Sequence, residues 1–310
     1  MKESLPPVHV APVLEGNMTD EFSYLREKAR NMDVETIVSL RGGGALLPRI
    51  LGFMPKLFDK GVLGREPWGI VGTSTGAIAG FFARDIGFAN IEAWHHSMQP
   101  VADFKGWKGP WSELTVNGLP YRRPRKLNFD QYYSQKILPR IGELEPHDSE
   151  NEHARPALNM VVVARREDRQ PYIYHDEHWT DENGRFQREK MIQCVEGSCC
   201  LPFFVPTHDD HIGPVIDGGL SKPDMTAPIE VAGEVLENRG KIISIEPVGN
   251  LKRGIHIENR DGLHVVRVVM EQQLTPFQQA RNILVFDPQA YGIGAKWGEY
   301  TAEVLKSFGP

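Results

Sequence analysis

Thr36-Ile37-Val38-Ser39-Leu40-Arg41-Gly42-Gly43-Gly44 and, further on, Gly69-Ile70-Val71-Gly72-Thr73-Ser74-Thr75-Gly76-Ala77 share one pattern: a short apolar run, a glycine turn, then helical spacing. The first run is β-branched and of strand length. After it Leu46, Leu47, Ile50, Leu51, Met54, Leu57 and Phe58 recur on one helical face, and Gly61 is a stop signal. The second run leads into the small-residue helix Ala77-Ile78-Ala79-Gly80-Phe81-Phe82. Strand, turn and helix twice in succession predict an α/β fold, three layers α/β/α around a mainly parallel sheet. Pro48 suits a first helical turn, whereas Pro55 falls in the interior and predicts a kink or break.

Outward from this unit, 159–164, 172–174 and 241–245 read as further strands, and 91–98 and 300–308 as helices. Residues 1–34 read as an N-terminal arm that packs onto a domain spanning 35–310. Within that domain 99–157 has few long apolar runs and reads as a cap.

With 40% hydrophobic and 25% charged residues the chain has a globular balance, which excludes global disorder. The longest informative charge-free run, 67–83, is too short and too polar to span a bilayer. The first residues lack an apolar stretch of signal-peptide type, so a soluble, cytoplasmic protein is expected. A net charge of −6 argues against a nucleic-acid partner. Cys194, Cys199 and Cys200 form neither a disulfide framework nor a zinc spacing and are expected as reduced thiols.

Ser74 stands in G-x-S-x-G between strand and helix, where a sharp turn presents the hydroxyl outward. A serine becomes a nucleophile only if a base takes its proton and donors stabilise the oxyanion. For Gly42-Gly43-Gly44 three readings stand: a tight turn, a phosphate loop, or an oxyanion hole facing Ser74. The dinucleotide pattern fails at Leu47, and no GK[ST] follows. Asp217-Gly218-Gly219 closes the apolar stretch 213–216, so its carboxylate falls at a strand end; a plain D-G-G turn is the competing reading.

Taken in order, the glycine triplet, G-T-S-T-G and D-G-G resemble the patatin-like phospholipases, serine acyl hydrolases with a Ser-Asp dyad. Glu196-Gly197-Ser198-Cys199-Cys200-Leu201-Pro202-Phe203-Phe204-Val205-Pro206 is similar to the family's A-S-x-A-x-P-x-x-F-x-P stretch. The resemblance covers about 35–245 and implies hydrolysis of fatty-acyl esters of phospholipids or lysophospholipids. It assigns Ser74 as nucleophile, Asp217 as base, and backbone donors at Gly42, Gly43, Gly44 and Thr75 as the oxyanion hole, with no cofactor and no metal. The family's loop commonly reads G-G-G-x-[RK]-G, whereas Leu46 and Leu47 stand here, with Arg41 and Arg49 as the nearby cations.

Other readings fit the same residues. An α/β-hydrolase triad would take Ser74, Asp217 and His256 or His264 in that chain order. A lipid-binding protein of the same fold without turnover, or an acyltransferase, would use the same framework. His208-Asp209-Asp210-His211 supplies four ligand types, but neighbours on an extended chain point apart, so a polar hairpin is expected. His95 and His96 fall in a helix with ordinary contacts. Residues 104–126 carry six cations and one glutamate among Phe104, Trp107, Trp111 and Tyr121. That mixture suits peripheral contact with an anionic membrane, or equally a solvated loop.

Overall fold

β1 (Thr36–Leu40) and β2 (Trp68–Thr73) are neighbouring parallel strands, each followed by a turn and a helix. The structure is a computed structural model describing residues 18–102, 133–142, 152–200, 208–210, 213–222, 226–237, 239–260, 262–272, 287 and 289–307. Among these, β1 also pairs in parallel with β7 (Gly240–Glu246), and β7 with β9 (Leu263–Val269). On the other flank β2 pairs in parallel with β3 (Leu158–Arg165). Antiparallel strands complete the sheet: β8 (Gly254–Arg260) on β9, β4 (Pro171–His175) and β6 (Gly213–Asp217) on β3, and β5 (His208–Asp210) on β6. Strand order reverses around β1, which has β2 on one side and β7 on the other, and ligand sites of open α/β sheets favour such points.

Alternation along the strands divides the core into two layers. Val38, Leu40, Ile70, Val161, Val163, Ile243 and Ile245 face one cluster. It is completed by α2 (Leu47–Asp59), α3 (Thr75–Asp85), α4 (Ile91–Ala102), α6 (Arg188–Ser198) and α8 (Ala290–Ser307). Ile37, Val71, Met160, Val162 and Ile242 face the other, under α1 (Met18–Asn31) and α7 (Ala227–Leu236). With both faces covered, strands read as near-continuous apolar runs, as β1 and β3 do. The expected three-layer α/β/α architecture is the observed one. Within the stretch read as an arm, α1 buries Phe22, Leu25 and Ala29 in the second cluster.

Two expectations from the sequence are corrected. Pro55 does not end its helix: α2 runs unbroken to Asp59. Proline cannot donate to the carbonyl four residues back, Leu51, and the Trp94 indole N–H donates to that oxygen instead, at 3.2 Å. The C-terminal helix begins at Ala290, not near residue 300. Its glycines hide it from propensity but serve packing. A Cβ on Gly294 would fall 2.0 Å from the Arg49 carbonyl oxygen of α2, and one on Gly52 would fall 2.2 Å from that of Tyr291.

Of the region read as a cap, the end of α4, a π turn at Tyr133–Ile137, α5 (Leu138–Gly142) and a 3-10 turn at Glu152–Ala154 are described. The segment 104–126, with its basic and aromatic residues, lies outside the described residues. No helix among the described residues is long and apolar enough to cross a membrane.

Candidate active site

The register of β3 brings the two candidate dyad residues together. Val162 pairs with Thr73 of β2 and with Ile173 of β4, and the next residue, Val163, pairs with Asp217 of β6 and with Tyr172 of β4. β4 therefore occupies one edge of β3, while β2 and β6 follow one another along the other. Asp217, at the end of β6, meets the chain where it leaves β2 at Ser74.

Ser74 has φ 54° and ψ −128°, a conformation non-glycine residues rarely adopt, and it sits between β2 and α3. The flanking glycines of the pentapeptide make the turn sterically available: a Cβ on Gly72 would fall 2.4 Å from the Gly76 carbonyl oxygen, and one on Gly76 would fall 2.2 Å from that of Leu40. Ser74 and Asp217 are both buried, at 5% and 3% exposure. Burial pushes the Asp217 carboxyl up to about 6, partly offset by interaction with the Ser74 hydroxyl and by the Gly219 N–H. That N–H donates to Asp217 Oδ1 at 2.8 Å. Oδ2 makes no hydrogen bond, although the Ser74 hydroxyl is near enough to favour the charged carboxyl. Such loose apo geometry is common where substrate completes the site.

The glycine loop lies over this pair. A Cβ on Gly42 would touch Ser74 Cβ at 2.7 Å and Oγ at 3.3 Å, so only glycine lets the loop come this close. The Gly43 N–H donates to Thr75 Oγ1 at 2.9 Å, which ties the loop to the start of α3. Gly44 opens a 3-10 turn that runs to Leu46. Thr75 is the first residue of α3, so its own N–H is among those a helix leaves without an internal acceptor. The cations flanking the loop are held from below. Arg41 reaches Glu246 at 3.2 Å, and Arg49 reaches Glu271 at 2.8 Å and the Pro247 carbonyl at 3.3 Å.

The other sequence candidates are elsewhere. His256 is on the edge strand β8, its ring 2.7 Å from the Lys252 carbonyl. His264 pairs with Lys241 at the start of β7, the far end of the parallel strands, and contacts Asn259 at 2.6 Å. Neither histidine joins the Ser74–Asp217 pair. His208 to Asp210 form β5, antiparallel to β6, so this segment is one arm of a hairpin; His211 lies outside the described residues. His95 contacts Tyr291, and all three cysteines are free thiols and buried.

Among the described residues Glu21, His175 and His178 bring potential ligand atoms within 4.8 Å of one another. They already bond one another: His175 Nε2 meets Glu21 at 2.7 Å, and the His175 backbone N–H donates to His178 Nδ1 at 3.1 Å.

Sequence reasoning missed one set of contacts, made by the end of α6. Ser198 Oγ accepts the Ser74 backbone N–H at 2.9 Å. The Cys200 carbonyl accepts the Asp217 N–H at 2.9 Å. The Cys199 thiol meets the Ser74 side chain, and burial holds that thiol well above its usual pKa, with the Asp217 charge adding to the effect. This is the stretch that resembles the family motif, which was the signal available for it.

The sequence profile described as Patatin-like phospholipase matches residues 38–232, more than half of the chain and spanning the glycine loop, Ser74 and Asp217. The chain belongs to the patatin-like phospholipase family. Family membership makes lipid the substrate class and points to hydrolase chemistry. No curated protein matches the chain. Among solved structures it is similar to VipD from Legionella pneumophila, at 14% identity over 86% of this chain and 67% of that one, with a TM-score of 0.35.

Proposed function

We propose that this patatin-family protein is a serine acyl hydrolase of phospholipase A or lysophospholipase type, working through Ser74 and Asp217. The observation that carries the reading is a serine in strained backbone geometry whose hydroxyl contacts a buried carboxyl with a pKa of about 6. An aspartate at its ordinary pKa is a weak base; one raised to about 6 is ionised at neutral pH yet holds a proton better. Asp217 takes the Ser74 proton as Oγ attacks the acyl carbonyl, forming a tetrahedral oxyanion. The Thr75 N–H at the start of α3 and the glycine loop, Gly42 to Gly44, stabilise that charge. Collapse releases the alcohol, the lysolipid or headgroup fragment, which takes the proton from Asp217. Water, activated by the same carboxylate, then attacks the Ser74 ester and frees the fatty acid.

The test is a fluorophosphonate probe with site mapping, beside release of p-nitrophenol from an acyl ester. Wild type is expected to be labelled at Ser74 and to turn over, and Ser74→Ala to do neither while keeping its fold. His256→Ala and His264→Ala are expected to keep wild-type rates. A well-folded wild type that resists the probe would refute the reading.

One observation favours a second reading, lipid binding without turnover: the Gly43 N–H is already bonded to Thr75 Oγ1. Acyl-chain binding without probe labelling would select it. In the hydrolase reading the protein meets its substrate at a lipid–water interface, and sedimentation with liposomes at graded salt tests that contact.

A further inference from the structure

Ser74 leaves β2 through a strained backbone conformation, φ 54°, that persists only where surrounding contacts over-determine it. The last register pair before the turn is Thr73 with Val162. Past it Val163 pairs with Asp217 of β6, and the positive φ of Ser74 turns its N–H away from a direct bond to the Val162 carbonyl, leaving a gap in the ladder. Ser198, fully buried as the last residue of α6, fills that gap. Its hydroxyl donates to the Val162 carbonyl at 2.5 Å, and its oxygen accepts the Ser74 N–H at 2.9 Å. A hydroxyl has one hydrogen, so committing it to Val162 leaves the oxygen as acceptor for Ser74. Two residues on, the Cys200 carbonyl accepts the Asp217 N–H, so one short segment holds the backbones of both dyad members.

We infer that Ser198 is a positioning residue for acyl transfer: its hydroxyl is an inserted rung that holds Ser74 in its strained conformation and keeps Oγ against the Asp217 carboxyl. It touches no reacting atom. Resting on the hydrolase reading, the inference deepens it by adding a third side chain, 124 residues from Ser74 in the chain, to the machinery. Removing that hydroxyl leaves the buried Ser74 N–H without its acceptor and lets the turn relax toward ordinary φ, which displaces Oγ. Small displacements of a nucleophile act on the chemical step more than on substrate binding.

Ser198→Ala and Ser198→Thr are compared with wild type for kcat and KM on a short-chain p-nitrophenyl ester. Folding is checked by near-UV circular dichroism, and exchange of the Ser74 amide is followed by peptide-resolved hydrogen exchange. Ser198→Ala is expected to lose about 10- to 100-fold in kcat with KM within a few-fold of wild type, and to exchange the Ser74 amide faster. Ser198→Thr, which keeps the hydroxyl, is expected to recover most of both. If the alanine variant does not fold, Ser198→Cys, with a poor acceptor of similar size, is read in its place. A folded variant lacking the hydroxyl that keeps full kcat, or unchanged Ser74 exchange in it, overturns the inference. A wild type that shows no turnover refutes the hydrolase reading alone, and the exchange result then decides whether the rung exists.

Discussion

At Asp217 burial and chemistry act in opposite directions. The folded carboxyl holds its proton to about pH 6 against an ordinary value of 3.8, so the folded state binds that proton more tightly than the unfolded chain does. Ionising Asp217 therefore destabilises the fold. Its contribution is fully present below about pH 4 and is lost as pH rises through about 6. Asp217→Asn is expected to be more stable than wild type at pH 8 by roughly 2–3 kcal/mol, with the difference closing by pH 4, in urea melts at the two pH values. Activity has the opposite slope: wild-type kcat/KM is expected to rise with pH through about 6 as the base ionises, while the asparagine variant stays inactive throughout. A residue more stable when disabled is what a functional site built under strain predicts.

Among the elements, α2 shows how a helix tolerates a proline. Leu51 O lost its own helix's donor to Pro55 and took the indole of Trp94 from α4, a fully buried ring packed on Phe88 at 4.5 Å. Trp94→Phe is expected to cost about 1–3 kcal/mol by leaving that carbonyl buried without a donor, beyond what the smaller ring loses in packing. Pro55→Ala in the same background restores a backbone N–H to Leu51 O. A double-mutant cycle by urea denaturation is expected to show coupling of about 1 kcal/mol between the two positions, and additive costs would refute the exchange of donors. The same element explains why the C-terminal helix was legible only at its end. The glycines of 292–298 weaken a propensity reading, yet Gly294 is required by the close approach of α8 to α2.

On the scale of the whole molecule, the sheet's C-terminal edge is held by a buried network beneath the glycine loop. Arg41, from the end of β1, and Arg267, from β9, share the Glu246 carboxylate of β7, with Arg267 bonds at 2.6 and 3.1 Å. All three are at most 5% exposed. Taking away the shared carboxylate leaves two buried cations, one at the end of β1 and one on β9, without their partner. Glu246→Ala is expected to lower unfolding stability by about 3–5 kcal/mol in urea, with one cooperative transition because both core layers rest on the same sheet. Near-wild-type stability would mean the network does not hold the edge.

What the sequence determined by itself is local. β-branched runs make β1, β2 and β3, glycines mark the turns after them, and G-x-S-x-G puts a serine between strand and helix, because each of these depends on neighbours in the chain. The resemblance pointed to Asp217, but only the tertiary structure decided how its carboxylate comes to that serine. D-G-G is a common turn, and it acquires its place only because Val162 and Val163 hand one edge of β3 from β2 to β6. The contacts of Ser198 and Trp94 were hidden for the same reason: the sequence marked Ser198 only as part of a family-like stretch, and each residue serves a backbone atom of a distant segment, a relation that leaves no periodic trace. Register between strands far apart in the chain is set by the packing of the whole sheet, and no stretch of residues carries it alone.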